Sequence, residues 1–96
     1  MSSEDVLSAV ERDVMVINQR GLHARAAAKF VKLAAEFDAE IQVTKGDETV
    51  SGRSIMGLMM LAAALGCTIR LTASGSDAPA AIEAIGKLIE DKFHED

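Results

Sequence analysis

At 96 residues, with 49% of its side chains hydrophobic but only 3% aromatic, the chain has room for one domain around one thin core of Ala, Val, Ile, Leu and Met. Ten basic against fifteen acidic side chains give a formal net charge of -5 with no Lys/Arg cluster, which argues against nucleic acid, because a phosphate backbone needs a positive stripe. No apolar run approaches the roughly 18 residues of a membrane span, Met1–Val10 lacks the basic start and apolar stretch of a signal peptide, and Cys67 has neither a disulfide partner nor metal-ligand spacing, so we expect a cytoplasmic protein with no membrane association, no metal and no cofactor.

Residues 1–12 are mostly polar or small and read as a flexible or weakly helical extension, with the domain proper at 13–93 and a solvated tail, His94, Glu95 and Asp96, at 94–96. Asp13–Ile17 is rich in β-branched residues and ends in the turn residues Asn18-Gln19-Arg20-Gly21, which predicts a first strand. From Ala24 to Phe37, apolar residues recur at Ala26/Ala27, Phe30, Leu33/Ala34 and Phe37, the spacing of a helix with one buried stripe. Ile41 and Val43 alternate with Gln42 and Thr44, and Gly46-Asp47 then turns the chain into the short Thr49–Ser51 segment, a β-hairpin. Ser54 stands as N-cap of a second helix from Ile55 to Leu65, ended by Gly66.

Cys67, Ile69, Leu71 and Ala73 then alternate with polar residues, the clearest strand signal in the chain. A capping Ser76 or Asp77 and Pro79 open the last helix, striped by Ile82, Ile85, Leu88/Ile89 and Phe93. The order β-α-β-β-α-β-α predicts an α+β open-faced sandwich, a four-stranded antiparallel sheet with three helices on one face.

His23 falls between the turn residue Gly21 and the first turn of the first helix, with Arg25 two positions on. Unpaired N–H groups and the dipole at a helix start disfavour a positive charge on the imidazole and welcome an anion, which keeps the ring nucleophilic. Arg25 can offer a planar fork of donors to phosphate oxygens, and phosphoryl transfer depends chiefly on position and charge stabilisation. On position alone His23 could equally be a solvated or capping residue, Arg25 a surface charge, and Leu22 an anchor packing the loop onto the core. The chemical role requires an uncharged, outward-facing ring, and a ring with both nitrogens committed to internal contacts would contradict it.

Gly21-Leu22-His23-Ala24-Arg25 followed by an Ala-rich helix resembles the active-site signature of HPr, the histidine-containing phosphocarrier family of the bacterial phosphotransferase system. Ser54-Ile55-Met56-Gly57-Leu58-Met59-Met60-Leu61 resembles that family's second signature, around its regulatory serine, and the resemblance spans roughly Asp13 to Phe93. It implies that His23 accepts phosphate on Nδ1 from phosphorylated Enzyme I and donates it to an Enzyme IIA-type domain, with Arg25 and the backbone N–H groups near Ala24 and Arg25 holding the phosphoryl group. It also implies a carrier that is itself no enzyme, a monomer, with Ser54 the substrate of a kinase/phosphorylase and phosphorylation there weakening docking to Enzyme I. The family usually has proline after the arginine where this chain has Ala26. Proline would preset the backbone, worth ~0.4–1 kcal/mol, whereas Ala is the best helix former and restores an N–H.

Without the resemblance, Ser54 reads as an N-cap alone. Met56, Met59 and Met60 cannot all share one narrow stripe with Ile55 and Leu58, so apolar surface is expected to remain exposed; Leu22, Ile55, Met56 and Met59 are the expected docking residues. Two other classes remain open: a regulatory binding module that never carries phosphate, and a small hydrolase with His23 as base or nucleophile. The latter has no second His, Cys nucleophile or carboxylate pair near His23 in sequence.

Overall fold

The computed structural model describes residues 9–95. Strand β1 (Val10–Met15) is followed by helix α1 (Ala24–Ala34), strands β2 (Glu40–Lys45) and β3 (Glu48–Ser51), helix α2 (Ile55–Met60), strand β4 (Thr68–Ser74) and helix α3 (Ala78–Glu90). The sheet runs β1-β4-β2-β3 with every pairing antiparallel, and the predicted architecture is the one observed. Alternation does the sorting: Ile41 and Val43 of β2 and Ile69, Leu71 and Ala73 of β4 turn inward and are buried against the helices. Phe30 of α1, Leu58 of α2 and Ile85 and Ile89 of α3 close the core from the other side.

Four boundaries differ from expectation by three residues or more. β1 begins at Val10, so the end of the expected extension is strand, with Val10 opposite Ala73 and Arg12 opposite Leu71. Arg12 looked like linker because it is charged; instead its guanidinium lies across Gly86 of α3, where an added Cβ would meet it at 2.4 Å, and reaches Glu90 at 2.6 Å. The rest of the expected extension, residues 1–8, lies outside the described residues. α1 stops at Ala34, where the Ala35 N–H still reaches the Val31 carbonyl, while the Glu36 and Phe37 N–H groups bond carbonyls three residues back. α2 stops at Met60 rather than Leu65: Ala62 turns left-handed (φ 54°), and Lys45 Nζ donates to the Leu61 carbonyl at 3.1 Å, satisfying a helix end that would otherwise run on.

α3 ends at Glu90, and the expected last member of its stripe, Phe93, is buried by a different route. Lys92, Phe93 and His94 form one left-handed turn, with φ of 58°, 56° and 60°. Left-handed backbone costs about 1–2 kcal/mol per non-glycine residue. Here it lets Phe93 enter the core with no exposed surface, and the Phe93 carbonyl accepts from Lys29 Nζ at 2.6 Å. At the other end of α3, Asp77 caps no N–H of its own helix; its carboxylate accepts from the Asp38 backbone N–H at 2.7 Å, tying the helix start to the loop before β2.

Candidate functional site

The loop between β1 and α1 is fixed by groups that leave little freedom. Gly21 is left-handed (φ 63°), and a Cβ there would lie 2.2 Å from the Ala63 carbonyl oxygen, so any side chain at this position would force the backbone apart. The next N–H, of Leu22, donates to that same carbonyl at 2.9 Å. Leu22 is 4% exposed, which corrects its expected docking role: it is a core anchor for the loop. Asn18, also buried, donates from Nδ2 to the Gly21 carbonyl at 2.9 Å, while its Oδ1 has no partner among the described residues.

This bracing places His23 as N-cap of α1 (φ -75°, ψ 179°), with Nδ1 facing the helix start and accepting the Arg25 backbone N–H at 3.3 Å. The Ala27 N–H closes onto the His23 carbonyl at 2.8 Å, so the residue caps the helix with both backbone and ring. Nε2 meets Glu95 Oε2 at 2.5 Å. Both ring nitrogens therefore have internal partners and the side chain is 22% exposed, a correction to the free, outward ring expected from sequence. Taken by itself the arrangement counts against a carrier. The two contacts differ in kind, however: the Nδ1 bond is long and weak and comes from a helix-start N–H that an incoming anion could take over, whereas the Nε2 contact is short and charge-assisted.

Glu95 is the second correction, since it was expected in a solvated tail. Its Oε1 accepts from Asn18 Nδ2 at 3.1 Å, and the side chain is 19% exposed. Burial pushes its carboxyl up, but the bonds from His23 and Asn18, with the charges of His23 and Lys29, outweigh this and hold it below the usual carboxylate range.

Around the ring opens a cleft of about 730 Å³ whose wall includes Arg20, Arg25, Lys29, Lys92 and His94. In a chain of formal charge -5, with His counted neutral, Arg20, Arg25, Lys29 and Lys92 are a concentration of cations, and Glu95 is the one carboxylate among the described residues lining the cleft. Arg25 and Ala24 are exposed, and the Arg25 guanidinium has no bonding partner among the described residues. Of the cleft's charges, sequence reasoning found His23 and Arg25. Lys29 stood one helical turn after Arg25 and was legible as a neighbour on the same face. Lys92, His94 and Glu95 gave no signal, because only the left-handed turn brings them here.

Ser54 is the N-cap of α2, its Oγ accepting the Gly57 N–H at 2.9 Å. Beyond it Ile55, Met56 and Met59 are exposed as expected, and Met60 and Leu65, at 73% and 56%, extend the apolar patch. The Leu22–Ala63 hydrogen bond ties the loop after α2 to the His23 loop. Among the described residues no group of His, Cys, Asp and Glu side chains could hold a metal ion, and no helix is long and apolar enough to cross a membrane.

A small open-faced sandwich with a capping histidine in a basic cleft defines a class, and comparison with known proteins gives the family. Residues 10–91 match the family model described as the PTS HPr component phosphorylation site. The chain is 47% identical over 89 residues to phosphocarrier protein NPr of Shewanella violacea, covering 93% of this chain and 98% of that protein. It is 48% identical over 86 residues to phosphocarrier protein HPr of Neisseria meningitidis, covering 90% and 97%. Among solved structures, HPr-C-His from Thermoanaerobacter tengcongensis superposes with a TM-score of 0.87 at 42% identity, covering 91% of this chain and 98% of that one. The chain belongs to the HPr family of phosphocarrier proteins of the phosphotransferase system.

Proposed function

We propose that His23 carries a phosphoryl group on Nδ1, accepted from phosphorylated Enzyme I and passed to an Enzyme IIA-type domain. One observation carries the reading: Nδ1 is the ring nitrogen turned to the N-terminus of α1, at the mouth of a basic cleft, in a chain of the HPr family. An anion bonded at Nδ1 displaces one weak hydrogen bond and gains the first-turn N–H groups at Ala24 and Arg25, the helix dipole and the Arg25 guanidinium, which has no partner among the described residues. The protein is then a cytoplasmic, monomeric substrate of other enzymes, with no turnover alone. Its docking surface is the exposed patch of Ile55, Met56 and Met59; flexible methionines suit several partners in turn.

Ser54 is the second part of the proposal. A kinase/phosphorylase acting there would add about two negative charges at the start of α2, where the dipole tolerates them, in the middle of the apolar docking patch, where they oppose Enzyme I. Incubated with phosphoenolpyruvate and Enzyme I, the protein should gain one acid-labile phosphate and His23→Ala none. Uptake by that variant overturns the assignment.

A further inference from the structure

We propose that Glu95 is a positioning residue for His23: its carboxylate keeps the proton on Nε2, which makes the Nδ1 lone pair the nucleophile and keeps the phosphorylated ring protonated for onward transfer. The inference rests on the carrier reading above and adds to it a residue beyond the span matched by the family model, which ends at residue 91.

The geometry is specific. An ionised carboxylate only accepts, so its 2.5 Å contact with Nε2 requires the hydrogen there. On the opposite side of the ring, the Arg25 backbone N–H only donates, so Nδ1 must present a lone pair. Both neighbours select the same tautomer. Glu95 is held for this: its other oxygen takes the Asn18 amide, and the buried Phe93 and the Lys29–Phe93 bond fix the turn that delivers it. Three successive non-glycine residues in left-handed backbone persist only where their surroundings over-determine them. The setting adds the reason. Arg20, Arg25, Lys29 and Lys92 all line the cleft and all disfavour a cationic ring, so the lone carboxylate among these linings is the group that can stabilise one.

The step balances. As the Nδ1 lone pair forms the N–P bond, the bond from phosphorus to the donor's leaving atom breaks and its electron pair departs with the donor. Nε2 retains its proton, so the ring becomes an imidazolium facing Glu95. In onward transfer the N–P electrons return to Nδ1 and the leaving group is neutral imidazole; a ring that had lost the Nε2 proton would have to leave as imidazolate, a far poorer leaving group.

The test compares wild type with Glu95→Ala, both shown folded by their thermal transitions. Long-range ¹H–¹⁵N NMR of His23 at about pH 9, above the imidazole range, should show the Nε2–H form alone in wild type and a second tautomer in the variant. After charging by phosphoenolpyruvate and Enzyme I, onward transfer to an acceptor domain should match between the two at about pH 6 and be about ten-fold slower in the variant at about pH 9. Unchanged tautomers, superimposable pH profiles, or a variant faster than wild type overturn the role of Glu95. Wild type that takes up no phosphate overturns the carrier reading instead, and the tautomer measurement, which needs no phosphate, still decides on Glu95.

Discussion

Phe93→Ala removes a fully buried ring from a strained turn, and the two effects oppose each other. Deleting a buried Phe side chain costs about 3–5 kcal/mol. If the ring alone holds Lys92–His94 left-handed, its removal also lets the turn relax and returns part of a strain of about 3–6 kcal/mol across the three residues, less the charge-assisted bond from Lys29 of about 1.5–3 kcal/mol. Phe30 is the internal control, since it is equally buried but sits in the regular helix α1 with no strain to release. Phe30→Ala should therefore lose the full 3–5 kcal/mol and Phe93→Ala about 1–3 kcal/mol, read from urea unfolding with unchanged slope. The variant should also lose the Glu95 contact, seen as a changed His23 ring signal. Equal losses in the two variants would refute the claim that the turn stores strain.

Three further outcomes follow from the same structure. Gly21→Ala places a Cβ against the Ala63 carbonyl and forces left-handed alanine, so it should cost at least about 2 kcal/mol in denaturant unfolding, more than a surface glycine such as Gly46, where the Cβ meets nothing. Ser54→Ala should lose about 1 kcal/mol by removing the cap on Gly57, while Ser54→Asp keeps a capping oxygen and stability but slows charging of His23 by Enzyme I; unchanged charging would count against inhibitory phosphorylation. Because the carboxyl of Glu95 is depressed in the folded state, its contribution is present above the unfolded value and lost as pH falls through the folded one. The stability gap between wild type and Glu95→Gln should accordingly shrink between about pH 6 and about pH 3, and a constant gap would contradict the direction of that shift.

Period-two and period-three-to-four patterns were enough to read the sheet and its helices, because burial on one face enforces them: Ile69, Leu71 and Ala73 could face only one way. What escaped was decided by contacts across the fold. Arg12 is strand because a glycine on α3 leaves room for its guanidinium, and α2 is short because a lysine from β2 takes its last carbonyl. The site divides similarly. His23 and Arg25 were legible because a helix start is a local feature, with its anion preference written in a few consecutive residues. Glu95 was not, since nothing local distinguishes a tail carboxylate from one delivered by a left-handed turn to a ring 72 positions earlier.

Ala26 gives the departure from the family's usual proline a physical consequence. The first N–H groups of a helix have no intrahelical acceptors, and α1 begins at Ala24, so those of Ala24 and Ala26 have no carbonyl to bond within the helix and that of Arg25 has only the His23 ring, while the Ala27 N–H is already spent on the His23 carbonyl. A proline in third place would leave two donors for three phosphoryl oxygens. Ala26→Pro should change stability by less than about 1 kcal/mol, since the first turn accommodates proline and the unfolded chain is stiffened. The charged state, by contrast, loses one hydrogen bond to an anion, worth about 1.5 kcal/mol, which moves the equilibrium with phosphorylated Enzyme I about ten-fold toward the donor. An unchanged equilibrium would mean that the Ala26 N–H does not reach the phosphoryl group, leaving its recognition to Arg25 and the two preceding amides.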